Sequence, residues 1–140
     1  MGQVEQVGSE DMDLPVTVTI NLTWIKERRT LPIQTIINQS GPLPITTPFV
    51  SPTDAPAALF VSGSVWSQFT NTMIGIAIIL DGQQIGAAQI FSNGTATHRA
   101  VVPVFIPIDI SIGNHTLSLN VTSGETVSDS NDFYTATLVY

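Results

Sequence analysis

The chain has 140 residues, 43% hydrophobic and 11% charged, with a net charge of −7 and no cysteine. That length suits one domain with a sizeable core. The missing cysteines exclude disulfides, thiol catalysis and Cys-ligated zinc, and four basic residues (Lys26, Arg28, Arg29, Arg99) are too few for a phosphate-binding surface, which argues against nucleic acid as a partner.

Residues 1–13 are polar and acidic and read as a flexible arm. They hold four acids and no base, so they do not make a signal peptide. No apolar run reaches the roughly 18 residues of a membrane span. Localisation is left open by the sequence. The remainder, 14–140, reads as a single β-sandwich domain.

"VTVTINLTW" (16–24) alternates and is β-branched, which predicts a strand with Val16, Val18, Ile20, Leu22 and Trp24 on one face. "KERR" follows as a turn, then "LPIQTIIN" (31–38) as a shorter strand. Residues 39–56 hold five of the nine prolines. Proline lacks the ladder N–H, so this stretch is expected as an extended loop or edge segment packed on the domain, anchored by Ile45, Phe49 and Val50.

"AALFVSGSVWS" (57–67) and "MIGIAIILDG" (73–82) are strands, the second apolar on both faces. "DGQQ" is a hairpin turn into "IGAAQIFS" (85–92), and Asn93–Gly94 predicts a further hairpin. "ATHRAVVPVFIPI" (96–108) reads as a long strand, with Pro103 and Pro107 marking an edge or a bulge. "HTLSLNVT" (115–122) alternates, with Leu117, Leu119 and Val121 inward. "FYTATLVY" (133–140) has something to bury on both faces and reads as a central strand. No stretch has helical periodicity, and about eight strands at roughly 8–12-residue spacing mean an all-β fold, a jelly-roll-like antiparallel β-sandwich.

Few groups could carry chemistry. His98 and His115 are the only histidines, and no nucleophile elbow of the G-x-S-x-G type accompanies them. The expectation is a protein that is not an enzyme, with each imidazole packed beside a turn. The loop "GETVSDSND" offers Glu125, Asp129, Asn131 and Asp132 as hard oxygen ligands, which would suit calcium. The EF-hand spacing is absent, and the plainer reading is a turn-forming connector that needs no cofactor. Among the aromatics, Trp24 lies with Ile20 and Leu22 and reads as core. Trp66 lies with Ser62 and Ser64, and Phe69 sits in the loop "SQFTNT". Trp66 and Phe69 are therefore the candidate binding pair, suited to stacking on a sugar ring.

From "LFVSGSVWS" through the L-D-G hairpin, "TATHRAVVPVF" and "IGNHTLSLNVTSGETVSDSNDFYTATLVY", the chain resembles the small jelly-roll heads of bacterial and phage proteins. It is broadly similar to the tumour-necrosis-factor and complement-type heads. The resemblance covers about residues 57–140 and implies a homotrimer, with apolar sheet faces packed around a three-fold axis. Ile74, Ile76, Ile78, Leu80 and Tyr140 would be the contact residues. The scarcity of charge between Arg29 and Arg99, where only Asp54 and Asp81 occur, agrees with a surface covered by other copies. The reading is thus a non-enzymatic structural or recognition module, assembling with itself in a phage or bacterial particle or surface setting and meeting a glycan or protein receptor. The alternative is a monomeric carbohydrate-binding sandwich using Trp66 and Phe69.

Overall fold

Alternation of apolar and polar residues dictates strands along almost the whole described chain, and the described residues contain no helix. The structure, a computed structural model, describes residues 31–140. The arm 1–13, the strand 16–24 with Trp24, and the "KERR" turn lie outside the described residues.

Nine strands form: β1 (Ile33–Ser40), β2 (Ile45–Ser51), β3 (Ala55–Val65), β4 (Thr72–Leu80), β5 (Gln83–Ser92), β6 (Arg99–Ala100), β7 (Val104–Ile110), β8 (Gly113–Val121) and β9 (Phe133–Val139). All their pairings are antiparallel. One sheet runs β1-β9-β3, with β6 and β7 following one another along the far edge of β3; the second runs β2-β8-β4-β5. Apart from the β4–β5 hairpin, every connection between the main strands crosses from one sheet to the other. This is the strand order of a jelly roll.

Inward residues of the two sheets meet in one core: Leu59, Val61 and Val65 from β3, Ile74, Ile76 and Ile78 from β4, Leu117 and Leu119 from β8, and Tyr134, Ala136 and Leu138 from β9. β9 lies between β1 and β3, so the last strand is a central one, as its two-sided pattern predicts.

Four details correct the sequence reading. The proline-rich stretch contains a regular strand, β2, at the sheet edge. It pairs with β8 alone, which leaves room for Pro48. Ile45 and Phe49 anchor it, whereas Val50 points outward and is 59% exposed. Asn93–Gly94 is not a hairpin: the chain leaves β5 there and crosses to the other sheet, and the left-handed residue of the loop is Ala96 (φ 51°). The long strand 96–108 is broken at Val101–Pro103. Val101 N–H donates to Gly63 O at 2.9 Å in one sheet, and Val102 N–H to Gln89 O at 3.0 Å in the other. That short break stitches the open edge of the sandwich. Finally, Ile74, Ile76 and Ile78 have no exposed surface. Their face of β4 is the inner one, so the chain's own core uses the side chains expected at a contact between copies. Leu80 and Tyr140 are partly buried against the same core.

Candidate functional site

The crossovers sort the loops by length. Among the described residues, one end of the sandwich carries 41–44, 66–71, 93–98 and 122–132; the other carries 52–54, 81–82 and 111–112. Residues predicted separately as a binding pair and as metal ligands, Trp66, Phe69, Glu125, Asp129 and Asp132, all arrive at the long-loop end.

Backbone pairing assembles this end. Trp66 and Val127 exchange N–H···O bonds of 2.9 and 2.8 Å, Ala96 N–H donates to Ser67 O at 2.7 Å, and Gly41 N–H to Asp132 O at 3.0 Å. Leu43 N–H donates to Ser128 Oγ at 2.7 Å. The four loops thereby hold one another.

Asp132 is the hub. Its side chain has no exposed surface, so it needs partners for both oxygens. Oδ1 accepts from Ser64 Oγ at 2.7 Å and lies 2.7 Å from His98 Nδ1, while Oδ2 accepts from Asp129 N–H at 2.9 Å. The other imidazole nitrogen, Nε2, lies 3.5 Å from Asp129 Oδ2. Both ring nitrogens therefore face carboxylate oxygens, which favours the doubly protonated ring. The hydrogen bond to Asp132 raises the His98 pKa above its ordinary 6.5, against the opposing effect of burial. The Trp66 ring packs beside this imidazole, centroid to centroid 6.0 Å.

His98, Asp129 and Asp132 place one ligand atom each within 4.8 Å of one another. The fit to calcium is poor. Calcium takes six to eight oxygens, whereas both Asp132 oxygens are committed and the third group is an imidazole. Glu125 joins none of this; its carboxylate accepts from Thr72 Oγ1. The sequence reading weighed His98 as a metal ligand only with His115 and did not join it to the acidic loop, because the 34 residues between it and Asp132 give no local signal. Phe69 stands 56% exposed at the loop tip, whereas Tyr134, near the start of β9, is wholly core. Trp66 is half-buried.

The short-loop end holds a second His–Asp pair. His115 Nδ1 lies 2.6 Å from Asp81 Oδ2, and Nε2 lies 2.8 Å from Ser111 O and 3.5 Å from Ser111 Oγ. Ser111, His115 and Asp81 thus stand in the order of a catalytic triad, but the closer contact of Nε2 is a backbone carbonyl. A carbonyl only accepts, so Nε2 carries a proton and has no lone pair for the serine. The same two contacts raise the His115 pKa, with the Asp81 hydrogen bond the largest cause.

No family profile matches the sequence, and no curated protein does. Among solved structures, dimeric latent PorU from Porphyromonas gingivalis is similar over 81% of this chain at a TM-score of 0.51 and 9% identity. This chain spans 13% of that one's length. A CBM35 from Cellvibrio japonicus Abf62 matches at a TM-score of 0.44 and 11% identity, over 82% of this chain and 89% of that one. The VP2 subviral particle of infectious bursal disease virus matches at 0.43 and 14%, over 81% of this chain and 33% of that one. At 9% identity the likeness to PorU speaks to the fold alone. The class is therefore an all-β, jelly-roll-like sandwich.

Proposed function

We propose that the chain is a non-catalytic recognition module that reads a glycan with its long-loop end. One observation carries this reading: three of four interlocked crossover loops bring an exposed aromatic, Phe69, a half-buried Trp66, the imidazole of His98 and the half-exposed carboxylate of Asp129 to one end of a rigid sandwich. Rings that stack on sugar C–H faces, set among donors and acceptors for hydroxyls, form a saccharide platform. Loops held on a stiff scaffold are the usual carriers of binding residues. The test is a glycan array with the purified chain, followed by titration of the best glycan against Phe69→Ala and Asp129→Asn. The reading expects binding that both variants weaken at least tenfold while the melting temperature holds. Binding unchanged in both variants, or none on the array, overturns it.

A second reading, self-association, is favoured by the outer face of the β1-β9-β3-β7 sheet. Ile33 (65% exposed), Phe60 (39%) and Phe105 (59%) stand there, the two phenylalanine rings 6.4 Å apart. Register places Ile33 opposite Val139, and Phe60 opposite both Thr137 and Phe105. Among the described residues, Asp109, opposite Pro56, is the one charged side chain on that face. Phe60 and Phe105 form an exposed apolar pair, with Ile33 and Phe133 further along the same face. This face, and not the isoleucines of β4, is where a second copy would pack. A trimer of heads in a particle or surface setting rests on this patch.

A further inference from the structure

The short-loop end contains a formed cleft of about 310 Å³ between the β2 edge and the β4–β5 turn. Its walls include Pro48, Val50, Asp81, Asn114, His115 and Thr116. From this geometry we infer a second binding site there, separate from the long-loop platform, for one sugar unit of a neutral saccharide.

The turn fixes the key group. Asp81 (φ 50°) and Gly82 (φ 82°) are both left-handed, as a tight two-residue hairpin requires. Asp81 N–H donates to Thr116 O at 2.9 Å, and Asp81 Oδ1 accepts from Thr116 N–H at 2.9 Å. With His115 on Oδ2, the carboxylate is held at two points and the residue's backbone N–H at a third before any ligand arrives, yet the side chain remains 48% exposed. Each carboxylate oxygen keeps a free lone pair for a hydroxyl.

Charge selects the ligand class. The doubly protonated His115 balances Asp81, so the cleft has no net charge to draw a metal ion. The carboxylate edge repels anions. What remains is a neutral ligand rich in hydroxyls. Asn114, exposed on β8, offers both a donor and an acceptor, and Thr116 a hydroxyl. Pro48 and the 59% exposed Val50 make an apolar wall for the C–H face of a ring. The volume lies at the small end for ligand pockets, which suits one pyranose and not a long chain.

The site stands independently of the long-loop platform, and the experiment separates them. Methyl glycosides of glucose, galactose, mannose and xylose would be titrated to about 50 mM into the labelled full chain, with backbone amide shifts followed by NMR, since single-sugar sites bind in the millimolar range. The inference expects one glycoside to shift Val50, Asn114 and Thr116 saturably. Asn114→Ala and Val50→Ala, both at exposed positions, weaken that response at least fivefold, and Phe69→Ala leaves it intact. No saturable shift at these three residues, shifts confined to 66–71 and 93–98, or an unchanged response in both cleft variants would each overturn it.

Discussion

His98 Nδ1 lies 2.7 Å from Oδ1 of the buried Asp132, and this contact ties the start of β6 to the start of β9 across 34 residues of chain. Hydrogen bonding raises the folded-state pKa of His98 above its ordinary 6.5. The pair's contribution is therefore fully present below about pH 6.5 and is lost as pH rises through the raised value. His115, raised by Asp81, acts in the same direction. The expected result is a melting temperature that falls as pH rises above about 6.5. His98→Gln flattens part of that slope and lowers stability at pH 6 by about 1–3 kcal/mol, because Asp132 is left with a missing partner. A melting temperature constant across this range, in wild type and variant alike, would show that His98 is not a latch.

Much of this architecture was legible before any coordinates. β8 and β9 alternate cleanly because each has one face in the core, and the turn at Asp81–Gly82 is the kind that only left-handed residues make. β4 misled for a physical reason. A strand apolar on both faces does not say which face meets the other sheet, and the bulky isoleucines took the shared core while Gly75 and Ala77 fall on the opposite face, where they too are buried. The break at Val101–Pro103 was likewise hidden, because an apolar run looks the same whether its amides pair with one sheet or two. At the long-loop end, acidic and aromatic composition marked Trp66, Phe69, Asp129 and Asp132. What no pattern could supply was the pairing of His98 with Asp132, since that depends on loops meeting in space.

Two glycines separate packing from backbone strain. A Cβ on Gly75 would lie 2.5 Å from Ala88 O and 3.0 Å from Gln89 Cα, with the neighbouring β5 backbone in the way. Gly75→Ala should cost about 1–3 kcal/mol, as overpacking does. Gly82 has open space around it but sits at φ 82°, so Gly82→Ala should cost about 1 kcal/mol through strain alone. Urea denaturation of both variants checks the ranking, and a Gly75→Ala chain as stable as wild type would contradict the register of β4 on β5.

Calcium offers a sharper test of the acidic loop. Three groups converge there, but a protonated His98 already offsets one of the two carboxylates, and the fully buried Asp132 has both oxygens in hydrogen bonds to the protein. Calcium at about 5 mM and pH 6 should raise the melting temperature by less than about 1 °C, since a site occupied a hundredfold above its dissociation constant would add about 2.7 kcal/mol. A clear rise that disappears in Asp129→Ala would mean that the loop is a metal site and that His98 yields its place to the ion.

Self-association can be assigned to a face. If copies meet through the β1-β9-β3-β7 sheet, light scattering on the purified chain should give a multiple of 15.0 kDa. Phe60→Ser combined with Phe105→Ser should return it to a monomer with little loss of stability, since both side chains stand substantially in solvent. Ile78→Ala behaves differently: that side chain is wholly inside the chain's own core, so its loss should cost about 2–5 kcal/mol and leave the mass of the folded fraction unchanged. The contrast decides between two origins for the apolar excess of this sequence. A monomeric wild type at about 100 μM, well above the dissociation constants of standard-size interfaces, would remove the second copy from consideration and leave the exposed phenylalanines as a surface for a different partner.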